Sequence, residues 1–138
     1  MKKQIGNDVR LEWTILRKGV AEDFTDATDF SLTAFIPNLS IDELILPIAR
    51  VGNVFTLNIP TTDLAVGTYT IRLQYKKPDP AFASGKASIS TAVNGAFQIV
   101  PIGAAEDDLN DELTSNVVYC TDRAPYLHLF CKCHHNIT

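Results

Sequence analysis

The chain alternates apolar and polar side chains along a series of short segments. In the first, apolar residues occupy every second position from Val9 to Ile15, with polar residues between them. A period of two over this length is typical of a strand with one buried face. The same alternation recurs, between turn residues, over residues 30–36, 55–59, 67–77 and 87–100. The pattern predicts an all-β fold of about seven short strands before residue 104, arranged as an antiparallel sandwich or barrel.

Turn and breaker residues indicate how some of these strands connect. The apolar segment 42–48 contains Pro47, which cannot donate a ladder hydrogen bond, so we predict an edge strand or a bulge there. Val51-Gly52-Asn53 follows as a turn, and we expect a hairpin across residues 45–60. Asn94-Gly95 permits either a tight type I′ turn or a β-bulge within the last segment.

The inward-facing positions of the predicted strands define a candidate core. Its members are Trp13, Ile15, Leu32, Leu57, Tyr69, Ile71, Leu73 and Phe97. Phe24 stands alone in a polar stretch and is expected to plug one edge of this core. Trp13, Tyr69 and Tyr75 share the parity of their aliphatic neighbours, so we interpret them as core residues rather than as platforms for sugar stacking. Tyr119 and Tyr126 are the aromatic residues that we expect to be exposed.

The pattern changes after Pro101. Leu109 and Leu113 stand at helical spacing among acidic side chains, which predicts one short helix within residues 104–116 that leads away from the domain. Residues 120–138 show no period. The expected organisation is a β-sandwich over residues 1–102, an acidic linker or short helix over 103–119, and an irregular tail over 120–138.

Charge and hydrophobicity argue against nucleic acid and the membrane as partners. Residues 1–103 hold ten acidic and ten basic side chains, and residues 106–112 hold five acids and no base. The chain therefore has no basic stripe of the kind that binds nucleic acid. It has no apolar run long enough for a membrane span, and no apolar stretch follows the basic N-terminus as in a signal peptide. We expect the chain to stay in the cytoplasm or to be packaged there.

The distribution of reactive side chains points away from catalysis. Residues 1–119 contain neither His nor Cys, and the three residues of each type all follow. These are the side chains that most often serve as bases, nucleophiles and metal ligands near neutral pH. We therefore expect a binding or structural module that is not an enzyme and needs no cofactor.

The C-terminal residues offer one candidate metal centre. Cys131, Cys133, His134 and His135, together with Cys120, carry the thiol and imidazole groups that zinc prefers. The two thiols of the Cys-x-Cys pair are closer in sequence than is usual, and adjacent His residues do not easily share one tetrahedral site. The alternative is a tail with free thiols, which the pattern favours.

Paired carboxylates offer a second candidate chemistry, the hydrolysis of glycosides. The candidates fall in two predicted loops, with Asp23, Asp26 and Asp29 in one and Asp42 and Glu43 in the other. Acids in such loops more commonly form turns or face solvent, so we favour structural roles for them. Ser84-Gly85-Lys86 lacks the upstream glycine of a phosphate-binding loop and is interpreted as a plain turn.

Residues 62–69, Thr-Asp-Leu-Ala-Val-Gly-Thr-Tyr, resemble the approach to strand F of immunoglobulin-like domains. In those domains an acidic residue, a small residue and a Tyr form a corner that anchors the strand. The resemblance implies that residues 67–73 are this strand and that residues 96–100 are the closing one. The cysteine pair of antibody domains is missing here, which suits a reducing compartment.

Three stretches resemble the N-terminal domains of bacteriophage tail-fibre and baseplate upper proteins, of the type carried by phages and prophages of gut Bacteroidetes. They are residues 5–15 (Ile-Gly-Asn-Asp-Val-Arg-Leu-Glu-Trp-Thr-Ile), 67–73, and 113–119 (Leu-Thr-Ser-Asn-Val-Val-Tyr). The resemblance covers residues 5–119. Members of that family usually continue into further domains, whereas residues 120–138 resemble no segment of them, as expected of a truncated or frameshifted gene.

The resemblance implies a structural docking domain of a tail or baseplate component, located in the virion. The implied partners are other virion proteins, and further copies of the chain in a homo-oligomer. The alternative is a carbohydrate-binding or adhesin-like sandwich, which would need an export signal and a patch of exposed aromatic residues. A third interpretation is an enzyme that uses the loop carboxylates.

Overall fold

The computed structural model describes residues 1–37, 39 and 43–118, and within these ranges the protein is all-β. The strands, in chain order, are β1 (Lys2–Gln4), β2 (Val9–Arg17), β3 (Val20–Ala21), β4 (Thr28–Phe35), β5 (Leu44–Leu46), β6 (Arg50–Val51), β7 (Val54–Ile59), β8 (Gly67–Pro78), β9 (Lys86–Val100) and β10 (Glu112–Val117). Strands β1, β3 and β6 have only two or three residues, which is too short for an alternating pattern to show.

The strands form two sheets. The first has the order β1-β9-β8-β4-β5, and the second has the order β10-β2-β7-β6, with β3 paired to the end of β2. Most pairs are antiparallel, but β1 runs parallel to β9 and β10 runs parallel to β2. The chain passes from the first sheet to the second between β1 and β2, between β5 and β6, and between β9 and β10. The first and last of these passages connect strands that pair in parallel in both sheets, β1 with β9 and β2 with β10.

The two sheets enclose a single hydrophobic core, as in a β-sandwich. The inward side chains of β2 and β7 meet those of β4, β8 and β9. All eight candidate core residues belong to this cluster, and none is more than 4% exposed. Phe24 also lies in the core, at 3% exposure, and it closes one end of the cluster as expected for a plug.

The prediction of a helix within residues 104–116 is wrong. The stretch after Pro101 has turns at residues 102–103 and 109–110 and a bridge at Asp107, and β10 then pairs with β2 from Glu112↔Glu12 to Val117↔Arg17. Leu113, Ser115 and Val117 turn toward the core, while the residues between them are exposed. The spacing of Leu109 and Leu113 suggested a helix, but Leu109 is 70% exposed and plays no part in packing. The second sheet is therefore completed by residues beyond 102.

The other connections agree with the sequence only in part. The predicted hairpin across residues 45–60 is limited to β6 and β7, joined at Gly52-Asn53, while β5 pairs with β4 in the other sheet. Strand β5 is an edge strand, as Pro47 indicated. Asn94-Gly95 forms a bulge, since the β8–β9 register moves from Tyr69↔Phe97 to Ile71↔Val93.

A tyrosine contact anchors the start of β8. The hydroxyl of Tyr69 donates a hydrogen bond to the carbonyl of Ala65 at 2.7 Å, and the ring stacks on Phe97 with 4.9 Å between centroids. This is the backbone contact that the corner-like sequence of residues 62–69 predicts. The contact ties the first residues of β8 to the loop that precedes this strand.

Replacing Tyr69 by Phe is expected to lower the free energy of unfolding by about 1 kcal/mol near neutral pH, because it removes this hydrogen bond and keeps the ring. Burial raises the pKa of Tyr69, so the unfolded chain ionises at lower pH than the folded one. This part of the stability is therefore fully present below the ordinary tyrosine pKa of about 10 and is lost as pH rises above it. Urea unfolding of both proteins at neutral and alkaline pH should show the wild type losing stability more steeply. Parallel pH profiles would contradict the expectation.

Candidate functional site

A buried carboxylate lies at the end of the sandwich where the Phe24 loop leaves β3. Glu22 is 4% exposed, and it accepts hydrogen bonds from the hydroxyl of Tyr75 at 2.7 Å and from the amide of Asp23 at 3.0 Å. Arg17 Nε and Lys77 Nζ each lie 3.8 Å from its Oε1 atom. The carboxylate thus connects the loop to the ends of β2 and β8, so its charge stabilises the fold.

The same end of the core is filled by aromatic rings. Phe24 packs edge-on against Phe55 and Tyr75, with centroid distances of 5.2 and 4.9 Å, and Phe30 lies beside it at 5.9 Å. The guanidinium of Arg50 lies over Phe24 and Phe30, 5.4 and 5.6 Å from the ring centroids. Offset and edge-on packing of this kind stabilises a core beyond the area it buries. The loop is therefore held by packing and by the Glu22 contacts together.

The loop carboxylates proposed for glycoside hydrolysis each have local partners. Asp23 accepts hydrogen bonds from the hydroxyl and the amide of Thr25, and these contacts lower its pKa. Asp26 forms an ion pair with Lys77 at 3.4 Å, and Asp29 lies 4.0 Å from Lys86 Nζ. These contacts hold Asp23 in a turn and pair Asp26 with a lysine at the surface, whereas Asp29 lies on β4 and not in the predicted loop.

The second acidic pair and the glycine turn are placed as follows. Asp42 lies outside the described residues. Glu43 forms an ion pair with Arg72 at 2.7 Å on the outer face of the first sheet. Within residues 84–86, Ser84 Oγ donates to the Lys86 carbonyl, and Gly85 adopts a φ of 77°. That geometry makes this segment a turn at the end of the loop between β8 and β9, as predicted.

A shallow groove of about 300 Å³ crosses the outer face of the first sheet. It runs over β4, β8 and β9, and its lining residues are Asp29, Ser31, Gln74, Tyr75, Lys76, Ser88, Ile89 and Ser90. Asp29 has a φ of 55° beside a register shift in the β4–β8 pairing, so a β-bulge sets its direction. The groove offers short polar groups, since Tyr75 and Ile89 turn their side chains into the core.

The acidic stretch after Pro101 contacts the N-terminal strand. Glu106 accepts hydrogen bonds from the Gln4 amide at 2.6 Å and from Asn7 Nδ2 at 2.7 Å, and these lower its pKa. A hydrogen bond with Asp108 is the main cause that raises the pKa of Lys3. Backbone hydrogen bonds between residues 2 and 107 complete the contact. The stretch, predicted from the sequence as an acidic linker or short helix, therefore carries structural contacts with the N-terminal strand.

The outer face of the second sheet carries charged side chains that have no partner among the described residues. Arg10 and Glu12 on β2 and Glu112 on β10 are all exposed. None of the three side chains forms an ion pair or hydrogen bond within residues 1–37, 39 and 43–118. Such charges stay hydrated in the isolated chain and are available to a partner.

The candidate metal ligands lie outside the described part of the chain. This holds for Cys120, Cys131, Cys133, His134 and His135, and for the aromatic residues Tyr119 and Tyr126. Across the residues that the structure describes, no three His, Cys, Asp or Glu side chains are grouped closely enough to hold a metal ion. The described segments also include no helix with the length and hydrophobicity needed to span a bilayer.

Sequence reasoning missed the two charged features that the fold creates. Glu22 precedes Phe24 by two residues, and that shared parity with an apolar plug was the available signal for its burial. The charged outer face of the second sheet could be recognised in the sequence only as polar positions on a strand, because the pairing of β10 with β2 depends on tertiary structure.

Comparison with known protein families, with curated proteins and with solved structures gave no match.

Proposed function

We propose that this chain is a non-catalytic docking domain with an immunoglobulin-like sandwich fold, acting as a structural component of a phage tail or baseplate. The observation that carries the proposal is the division of its charges. Glu22, Asp23, Asp26 and Asp29 have partners within the chain, whereas Arg10, Glu12 and Glu112 have none among the described residues and share one sheet face. A sheet face with such charges is suited to assembly with a partner of complementary charge.

Two further observations support this assignment. The hydrogen bond from Tyr69 to the carbonyl of Ala65 supports the immunoglobulin-like assignment, because the corner tyrosine of such domains also bonds a backbone group a few residues upstream. The resemblance of residues 5–15, 67–73 and 113–119 to phage tail domains falls on β2, β8 and β10, which all contribute to the shared core. Other virion proteins are the proposed partners, and the bacterial cytoplasm is the proposed site of synthesis.

The arrangement of acids favours docking over glycoside hydrolysis. A glycosidase needs two carboxylates that face each other across an open cleft at a defined separation. Asp23 is engaged by Thr25, Asp26 by Lys77, and Asp29 by Lys86. The shallow groove is lined by one of these acids, Asp29.

The second candidate function is saccharide binding in that same groove, because Gln74, Lys76 and three serines offer hydrogen-bonding groups there. Sugar sites usually add an aromatic side chain that stacks on the ring. Trp13, Tyr69 and Tyr75 are each buried to at least 96%, so they do not supply that platform. The outer face of the second sheet, with Arg10, Glu12 and Glu112, is therefore the better candidate for a functional surface than the groove.

Immunogold electron microscopy tests the proposed function. Particles released by the bacterium that carries the gene are labelled with antibodies raised against the purified chain. We expect label on the tail or baseplate, and its removal when the antibodies are first adsorbed with that chain. Unlabelled particles from a lysate that contains the protein would contradict the proposal. A glycan array run in parallel would favour saccharide binding if it gave a signal that Gln74→Ala abolishes.

A further inference from the structure

The unpaired charges on the second sheet form an ordered pattern. Registered partners in a sheet share a face, so Glu112 lies beside Glu12 in one row and Asn58 lies beside Arg10 in the next. Residues two apart on a strand are about 7 Å apart. The face therefore presents two adjacent carboxylates and, one row away, one guanidinium.

The outer face of the first sheet differs in this respect. Arg72 is paired with Glu43 and also lies over the ring of Phe35, at 5.0 Å from its centroid. Lys86 lies near Asp29 and donates to Thr28. Most of its charges are thus satisfied inside the chain. The second sheet is the one whose charges would gain most from a partner.

The charge pattern on β2 is complementary to itself. A two-fold axis that crosses β2 at right angles, level with Leu11 and parallel to the sheet surface, would exchange the Arg10 row with the Glu12 row. We propose that two copies of the chain associate through the outer faces of their second sheets, with Arg10 of each copy against Glu12 and Glu112 of the other. Each contact then occurs twice, as a closed two-fold dimer requires.

The neighbouring side chains are compatible with this close approach. They are uncharged: Thr14, Thr56, Asn58, Thr114 and Asn116 are short and polar, and Leu16, Val51 and Val54 add apolar groups to the same face. Two sheets can pack about 10 Å apart when the side chains between them are small enough to interdigitate. An apolar partner would leave Glu12 and Glu112 desolvated side by side, which is costly. The partner must supply a cation at the spacing of one row, and a second copy of the chain does so.

This inference deepens the proposed docking function by naming a second copy as one partner, and it is tested without phage particles. Sedimentation equilibrium of the full chain, from low micromolar to submillimolar concentration, measures the dissociation constant of the dimer. We expect a reversible dimer that weakens as salt is raised, because exposed ion pairs are screened. A failure here would leave the immunogold result intact, and the converse also holds.

Charge reversal makes the test specific to the proposed pairing. Arg10→Glu and Glu12→Arg should each raise the dissociation constant at least about tenfold, because each sets like charges against one another across the interface. The double variant Arg10→Glu/Glu12→Arg restores opposite charges and should bind at least about threefold more tightly than either single variant.

Lys76→Glu provides the matched control, since it reverses an exposed charge on the outer face of the first sheet. It should leave the dissociation constant of the dimer unchanged. Circular dichroism and melting temperatures like those of the wild type would show that all four variants fold. A wild type that stays monomeric throughout, or a double variant no tighter than the single ones, would overturn the proposed interface.

Discussion

Replacing Trp13 by Ala is expected to lower the free energy of unfolding by about 4 kcal/mol, the usual cost of removing a fully buried indole. Trp13 has no solvent exposure, and it lies on β2 between β7 and β10. Its indole Nε1 donates to Ser115 Oγ at 2.9 Å, which ties β10 to the rest of the second sheet. Truncation would therefore leave a cavity and also remove the side-chain contact that holds this edge strand.

Urea unfolding followed by far-ultraviolet circular dichroism measures this loss. Fluorescence is unsuitable because Trp13 is the only tryptophan of the chain. Trp13→Phe keeps most of the volume and should cost about half as much. Ser115→Ala removes only the acceptor and should cost about 1 kcal/mol. A loss of less than about 1.5 kcal/mol for Trp13→Ala would contradict the described packing.

The all-β fold and its core could be predicted because alternation is local. One buried face requires an apolar side chain at every second position, and residues such as Leu57, Ile71 and Leu73 satisfy that requirement without reference to any partner strand. Gly52 and Gly95 also carry their signals in the sequence, since both adopt positive φ angles that favour glycine.

The parallel pairing and the role of β10 could not be predicted in the same way. Parallel partners such as β2 and β10 are about a hundred residues apart, and nothing in either segment specifies the other. The spacing of Leu109 and Leu113 indicated a helix within residues 104–116, whereas the hydrogen bond from Trp13 to Ser115 favours the strand. Tertiary contacts decided the structure of a segment whose local signal was ambiguous.

The partners of individual charges are likewise a product of tertiary structure. The sequence showed Glu22 as one acid among several in a polar loop. Phe24 lies in the core two residues later, so the side chain of Glu22 also points inward. Its carboxylate there contacts Tyr75 and Arg17. Arg10 and Glu12 are the opposite case, since neither side chain has a partner within the described part of the chain.

Glu22→Ala is expected to lower the free energy of unfolding by about 3 kcal/mol. The carboxylate, whose side chain has no solvent exposure, compensates the partly exposed cations of Arg17 and Lys77 and accepts a hydrogen bond from the hydroxyl of Tyr75. Breaking a buried charge pair from one side is costly because the remaining groups keep their desolvation without the interaction that offset it.

Two further variants separate the parts of this effect. Glu22→Gln keeps an acceptor for Tyr75 and should cost less than Glu22→Ala, whereas Tyr75→Phe should cost about 1 kcal/mol. Because both residues share one hydrogen bond, the combined variant Glu22→Ala/Tyr75→Phe should lose less than the sum of the single losses. Asp63→Ala removes an exposed acid and should change stability by less than about 0.5 kcal/mol. If Glu22→Ala behaved like this control in urea unfolding, the buried carboxylate would have no structural role, and the loop of Phe24 would be held by aromatic packing alone.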